Sequence, residues 1–233
     1  MKSTTLEKLI ERDDLRDRPG VFADRDEAGR TVAEMLRGDD LCDGVLLAVP
    51  AGGIPVAAAV ADVCGLPLEV AVVSKITLPW NTEAGYGAVA FDGTVVLNDA
   101  LVRHLGLTEE EAERGVEATR RKVARRRQAL RGERPMPDLS GTTAILVDDG
   151  LASGFTMRCA LEALGRRAVS RRIVAVPTAH EESLDRIADL ADAIYCPNVR
   201  SGMPFAVADA YRCWYDVSEE EAAGFLAGSG GGG

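Results

Sequence analysis

Short apolar runs of strand length alternate with stretches of helical periodicity along this chain. The runs are "GVLLAV" (44–49), "LEVAVV" (68–73), "TAILVD" (143–148), "RIVAVP" (172–177) and "AIYC" (193–196). They show little polar alternation, so both faces of each strand are expected to be buried, as in a parallel sheet covered by helices. Between them lie helical stripes. Ala28, Val32, Met35 and Leu36 share one helix face, with Asp24 and Glu27 spaced as a capping box and Gly38 at the far end. Pro55 opens an Ala-rich helix, and Thr108 with Glu111 caps a long one running through Ala129. Met157, Ala160, Leu161 and Leu164 mark another, and one more is expected near 181–190. "GAVAFDGTVVLN" (87–98) reads as a hairpin turning at Asp92-Gly93. The pattern predicts an α/β fold: a doubly wound, mainly parallel sheet with a short hairpin and a small C-terminal cap. Residues 1–20 read as a polar extension, 21–226 as the domain with its cap at 196–217, and 227–233 as a disordered Gly-rich tail.

Composition narrows the function. The 233 residues carry a formal charge of −10, which argues against nucleic-acid binding. The five cysteines are scattered with no CxxC spacing, and there are two histidines, so neither a zinc site nor a disulfide frame is expected. Met1 to Arg18 is charged throughout and reads as no signal peptide, and no apolar run approaches membrane-spanning length. A cytoplasmic protein is the expectation.

The chemistry concentrates in "AILVDDGLASGFTM" (144–157). A buried strand ends in two like charges, Asp148 and Asp149. Ligands of open parallel sheets bind at the carboxyl ends of the strands. Two carboxylates there want a positive or donor-rich partner, such as a sugar diol or a hydrated magnesium ion. The next residues lead into a helix N-terminus whose free N–H groups favour phosphate, with Ser153 and Thr156 as hydroxyl donors and Gly154 permitting close approach. The plainer alternative is an acidic turn followed by a Ser/Thr helix cap. No Gly-Lys-Ser/Thr loop is present, which argues against an ATPase.

This string resembles the phosphoribosyl-pyrophosphate (PRPP) signature of type I phosphoribosyltransferases. "FADRDEAG" (22–29), "NTEAGYGAV" (81–89), "RPMPDLSG" (134–141) and "PFAVADAY" (204–211) are similar to segments of one subgroup. The resemblance implies magnesium, PRPP, a small-molecule acceptor and a homodimer. It implies that Asp148 and Asp149 bind the ribose hydroxyls directly or through magnesium. The loop Ala152, Ser153, Gly154, Phe155 and Thr156 would bind the 5-phosphate. "VPAGGIP" (49–55) would be the pyrophosphate loop, through Ala51, Gly52 and Gly53. The family often carries a basic residue where Ala51 stands, so Lys75 is the candidate for the missing charge. Residues 76–92 would be a flexible lid, in which Glu83 orients substrate or magnesium, while Tyr86 reads better as a core residue.

Two features stay open. The basic run "RRKVARRRQALRGER" (120–134) reads first as a solvated helix face, with a dimer contact, RNA or phosphate capture as alternatives. In the cap, Phe205, Tyr211, Trp214 or Tyr215 would stack on a flat acceptor or simply form the cap's own core, and Asp209 or Asp216 would accept a proton. The leading expectation is transfer of 5-phosphoribosyl from PRPP to a nitrogenous acceptor. Its rivals are a PRPP-binding regulator with little catalysis and a hydrolytic activity on PRPP.

Overall fold

The computed structural model describes residues 1–78 and 80–228, without the side chains of residues 82–84. The chain opens with α1 (Ser3–Lys8), β1 (Leu9–Ile10) and α2 (Arg25–Leu36), followed by β2 (Gly44–Ala48), α3 (Gly53–Cys64) and β3 (Leu68–Val70). Next come β4 (Ser74–Leu78), β5 (Asn81–Val89), β6 (Val95–Leu97), α4 (Asp99–His104) and the long α5 (Glu109–Arg131). Then follow β7 (Thr143–Val147), α6 (Phe155–Leu164), β8 (Arg171–Ala175), β9 (Thr178–His180), α7 (Glu181–Ile187), β10 (Ala193–Tyr195), β11 (Asn198–Arg200) and α8 (Glu219–Gly228).

Six parallel strands form the main sheet in the order β1-β10-β8-β7-β2-β3. Successive residues of each central strand serve opposite faces. Leu46, Ala48, Ile145 and Val147 join the core that includes α2 and α3, whereas Leu47, Ala144 and Leu146 join the core that includes α6 and α7. All are buried, which is why the strands read as continuous apolar runs. From β2 the chain winds outward to β3 in one direction, and through β7, β8 and β10 in the other. The switch point therefore lies between β2 and β7, and their carboxyl ends face one ligand crevice. No described helix is long and apolar enough to cross a membrane.

Three segments differ from the sequence expectation. Residues 9–10 of the supposed extension pair with Ile194 and Tyr195 as an edge strand, too short to show a period. The expected lid at 76–92 lies largely in an antiparallel sheet of β4, β5 and β6, with a register irregularity around Thr77. Its Ile76, Tyr86 and Ala88 are buried, so side-chain packing rather than loop chemistry sets its conformation. Tyr86 is the core residue it was read to be: its hydroxyl approaches Gly115 of α5 so closely that a Cβ there would lie 1.9 Å from it. The Gly-rich tail read from 227 starts inside α8, and residues 229–233 lie outside the described residues.

A polar tie joins the end of α2 to β8 and β10. Asp39, just after α2, accepts from Arg171 at 2.6 Å and from the Tyr195 hydroxyl at 2.7 Å. The hydrogen bond from Arg171, outweighing burial, holds its carboxyl below the usual range. A carboxylate with a lowered folded pKa stabilises above its unfolded value and loses that contribution as pH falls through the folded one. Asp39→Asn is expected to lower stability at neutral pH by about 1–2 kcal/mol. The gap to wild type should close below pH ~4, in urea titrations run across that range. A gap that stays constant down to strong acid would contradict this assignment.

Candidate functional site

The carboxyl end of β7 runs straight into Asp148 and Asp149, and that of β2 into the turn 49–52 beside them. Register pairs Ala48 with Val147, so the turn and the acidic pair meet. The approach requires glycine. A Cβ on Gly52 would lie 1.9 Å from Asp149 Oδ2, and one on Gly53 would lie 2.6 Å from the Val147 carbonyl oxygen. The Asp149 N–H donates to Asp148 Oδ1 at 2.9 Å. Burial, then the charge of Asp149, pushes the Asp148 carboxyl well above the ordinary range. Burial also raises that of Asp149, with Arg25 opposing it. The pair is electrostatically short of positive partners, which a cation or several hydroxyl donors would supply.

One partner is built in. Arg25, the first residue of α2, donates through Nε at 3.0 Å and Nη2 at 2.9 Å to Asp149 Oδ2. Its Nη1 donates to the Tyr215 carbonyl at 2.9 Å, and its guanidinium lies 4.0 Å from the Trp214 ring centroid. Only 5% of Arg25 is exposed. The Tyr211 hydroxyl donates to the Asp149 carbonyl at 2.6 Å. Tyr211 also packs on Phe22 with Ala28 and Ala210, a small separate core under the C-terminal segment.

Beyond the acidic pair the chain enters α6 through Gly154, whose φ of +75° is left-handed. No side chain caps α6, so Ser153 and Thr156 are not the helix cap that the plainer reading proposed. The Ala152 and Ser153 carbonyls instead accept from Ser183 and Arg186 of α7. Those bonds fix the loop while the first N–H groups of α6 remain available to an anion.

A cavity of about 400 Å³ joins these parts. It is lined by Ala51, Gly52, Lys75, Asp148, Asp149, Ala152, Ser153, Gly154 and Thr156, all singled out in the sequence. Gly53 is absent from this lining and packs against the end of β7. The Phe155 side chain does not reach the cavity: its ring faces another recess, with the Arg186 guanidinium 4.9 Å from its centroid. The Glu83 side chain lies outside the described residues.

Three further polar side chains stand in the lining of the same cavity. Ser74 is 4% exposed, and its Oγ has no hydrogen-bond partner among the described residues. Lys122 and Arg126, one turn apart on α5, stand on the cavity wall with Lys75. In the sequence the run 120–134 reads first as a solvated face; Lys122 is exposed and Arg126 half-buried, and both border the cavity. Arg126 also pairs with Glu219 of α8 at 3.0 Å. Partial burial, then the charges of Arg126 and Lys75, lowers the Lys122 ammonium. The cavity lining thus holds two charge clusters, the acidic pair and the three cations Lys75, Lys122 and Arg126. The missing signal was phase: the four-residue spacing of Lys122 and Arg126 was visible, but not which face of α5 borders the cavity. Arg25 was legible only as part of "FADRDEAG".

The phosphoribosyl transferase domain model matches residues 25–210, and the chain belongs to that family. Two curated relatives from Mycobacterium tuberculosis, from strains CDC 1551 and H37Rv, carry the provisional name phosphoribosyl transferase. Each is 34% identical over 210 residues, covering 88% of this chain and 46% of the relative. The chain therefore spans about half the length of these relatives. Among solved structures, TT1426 from Thermus thermophilus is 33% identical, covers 88% of this chain and 97% of its own, and superposes with a TM-score of 0.72.

The Arg25 clamp generates a stability prediction. Arg25→Gln removes both bonds to Asp149 and the stack on Trp214, and should cost about 3 kcal/mol, read by urea denaturation at neutral pH. Arg25→Lys should recover only part of this, because an ammonium cannot reproduce the two-nitrogen contact. A cost below ~1 kcal/mol would show that the clamp is a surface-grade ion pair.

Proposed function

We propose that the cavity binds 5-phosphoribosyl pyrophosphate and that the protein transfers its phosphoribosyl group to a nitrogenous, nucleobase-like acceptor with release of pyrophosphate. The observation that carries this reading is the division of charge within the cavity. The acidic pair, the cation cluster of Lys75, Lys122 and Arg126, and the residues at an uncapped helix N-terminus all line it. A phosphorylated ribose with a pyrophosphate needs that arrangement. Its hydroxyls would donate to Asp148 and Asp149, its 5-phosphate would accept from the loop 152–156, and its pyrophosphate would face the cations.

Breaking the bond from ribose C1 to the pyrophosphate oxygen leaves positive charge on the sugar and negative charge on the leaving group. The acceptor nitrogen forms the new bond to C1, and the electron pair of the broken bond departs with pyrophosphate. The carboxylates stabilise the oxocarbenium-like sugar, and the three cations with Ser74 Oγ stabilise the leaving oxygens. Fixed charges of this kind need no reorganisation during the reaction.

The donor set fits magnesium. Among the described residues no group of three or more His, Cys, Asp or Glu side chains could hold a metal ion. Two adjacent carboxylates suit an ion that completes its shell with water and ligand oxygens. Asp148 and Asp149 would hold it, and the Arg25 contact uses only Asp149 Oδ2. Bound magnesium would neutralise ribose and pyrophosphate oxygens. A homodimer and a cytoplasmic setting belong to the same reading, the latter supported by five free thiols.

The test is pyrophosphate release from PRPP with magnesium and pooled nucleobases. Wild type should turn over only with an acceptor present. Asp148→Asn/Asp149→Asn should fall by at least about 100-fold. Lys122→Gln/Arg126→Gln should weaken PRPP by about tenfold or more. Binding without turnover for any base would favour the regulatory reading, and release independent of acceptor would favour hydrolysis.

A further inference from the structure

A second cavity, of about 350 Å³, is bordered like the first by α5 and by the segment that runs from β3 into β4, but by different residues of each. Val73, Ser74 and Lys75 line the first cavity, and Val70 and Val72 line the second. On α5, Lys122 and Arg126 face the first, while Arg127 and Arg131 face the second. Four guanidinium groups reach this second cavity: Arg127, Arg131, Arg134 and Arg167. One carboxylate, that of Glu133, stands among them and accepts from Gln128 at 3.0 Å.

The cavity has a fixed frame. Arg131 is 5% exposed and is tied to Glu69 and, at 2.7 Å, to the Pro135 carbonyl, and residues 132–136 form part of the lining. Arg167 lies 5.6 Å from the Phe91 ring centroid. Phe91 also borders a recess of about 230 Å³, walled by Val89, Ala90, Val123 and Arg120. Phe91 and Arg127 border both spaces. A protein of charge −10 thus gathers four arginines around one concavity, next to a smaller apolar one. Guanidinium forks match phosphate oxygens, and an aromatic ring bordering a recess walled mostly by apolar side chains suits a flat heterocycle.

From this juxtaposition we infer that the second cavity is a nucleotide-binding site separate from the first. The phosphates lie among Arg127, Arg134 and Arg167, and the base lies against Phe91 toward the apolar recess. The site does not depend on the transferase reading, since none of these residues lines the first cavity.

The experiment uses the full chain and methylanthraniloyl-labelled ADP, followed by fluorescence anisotropy at fixed ionic strength. Wild type and Lys122→Gln/Arg126→Gln are expected to bind the probe alike. Arg127→Gln/Arg167→Gln should weaken it by at least about tenfold, as loss of charge-assisted contacts does. Arg134→Gln, at an exposed position, should weaken it in the same direction and serves if the double variant is unstable by circular dichroism. The inference is overturned if wild type does not bind, if the loss follows the Lys122/Arg126 pair instead, or if polyuridylate binds where ADP does not.

Discussion

Adjacent carboxylates at one strand end repel each other, and the rest of the site is organised around keeping Asp148 and Asp149 there. Neither can move away without disrupting β7, which is buried over its whole length. The chain instead brings donors to them. Arg25 reaches in from the start of α2, held flat against Trp214 and fastened to the Tyr215 carbonyl. Tyr211 fixes the Asp149 backbone from the same C-terminal segment. Segments from opposite ends of the chain are thereby tied to one residue, and the small core of Phe22, Ala28, Ala210 and Tyr211 holds them in place. The two glycines of the facing turn follow from the same constraint, since a side chain at Gly52 would occupy the position of the Asp149 carboxylate.

At the cation cluster of the same cavity the electrostatics invert. Lys122 loses some of its preference for the charged state through partial burial and because Arg126 and Lys75 share its wall. Cations crowded together, like carboxylates crowded together, lower their free energy when a ligand of opposite charge arrives. A ligand with hydroxyls at one end and a polyanion at the other relieves both strains at once. On the proposed reading, the backbone turn at Ala51 would need no basic side chain of its own, because Lys122 and Arg126 of α5 line the same cavity. Ser74, buried and unpaired among the described residues, adds a donor whose partner is expected to come from the ligand.

Much of this was legible in the chain itself. Continuous apolar runs identified the parallel strands because both faces of the central strands are buried, and the ordered string 144–157 identified the acidic strand end and its loop. The capping box at Thr108 formed, with Glu111 closing it, whereas at Asp24 only half of one did: Asp24 accepts from the Glu27 N–H, but the Glu27 carboxylate accepts from the Ala23 N–H rather than from that of Asp24. What was not legible depended on tertiary direction. A run of arginines looks the same whether or not a cavity lies beside it, and only the placement of α5 against β4 and β5 decides that Lys122 and Arg126 border one. Residues 76–92 carried polar loop-like residues, yet Ile76 and Tyr86 pack them into a sheet. The pairing of residues 9 and 10 with β10 left no periodic trace, because two residues cannot show one.

The central claim is that Asp148 and Asp149 form one end of a single ligand site for phosphorylated ribose. Calorimetric titration of PRPP into wild type and into Asp148→Asn/Asp149→Asn, with and without magnesium, tests it most directly. The account predicts magnesium-dependent binding at one site per chain in wild type and its loss in a variant that remains folded. Equal binding by both proteins, or none by folded wild type, would contradict it and leave only the fold in common with the phosphoribosyl transferase domain family.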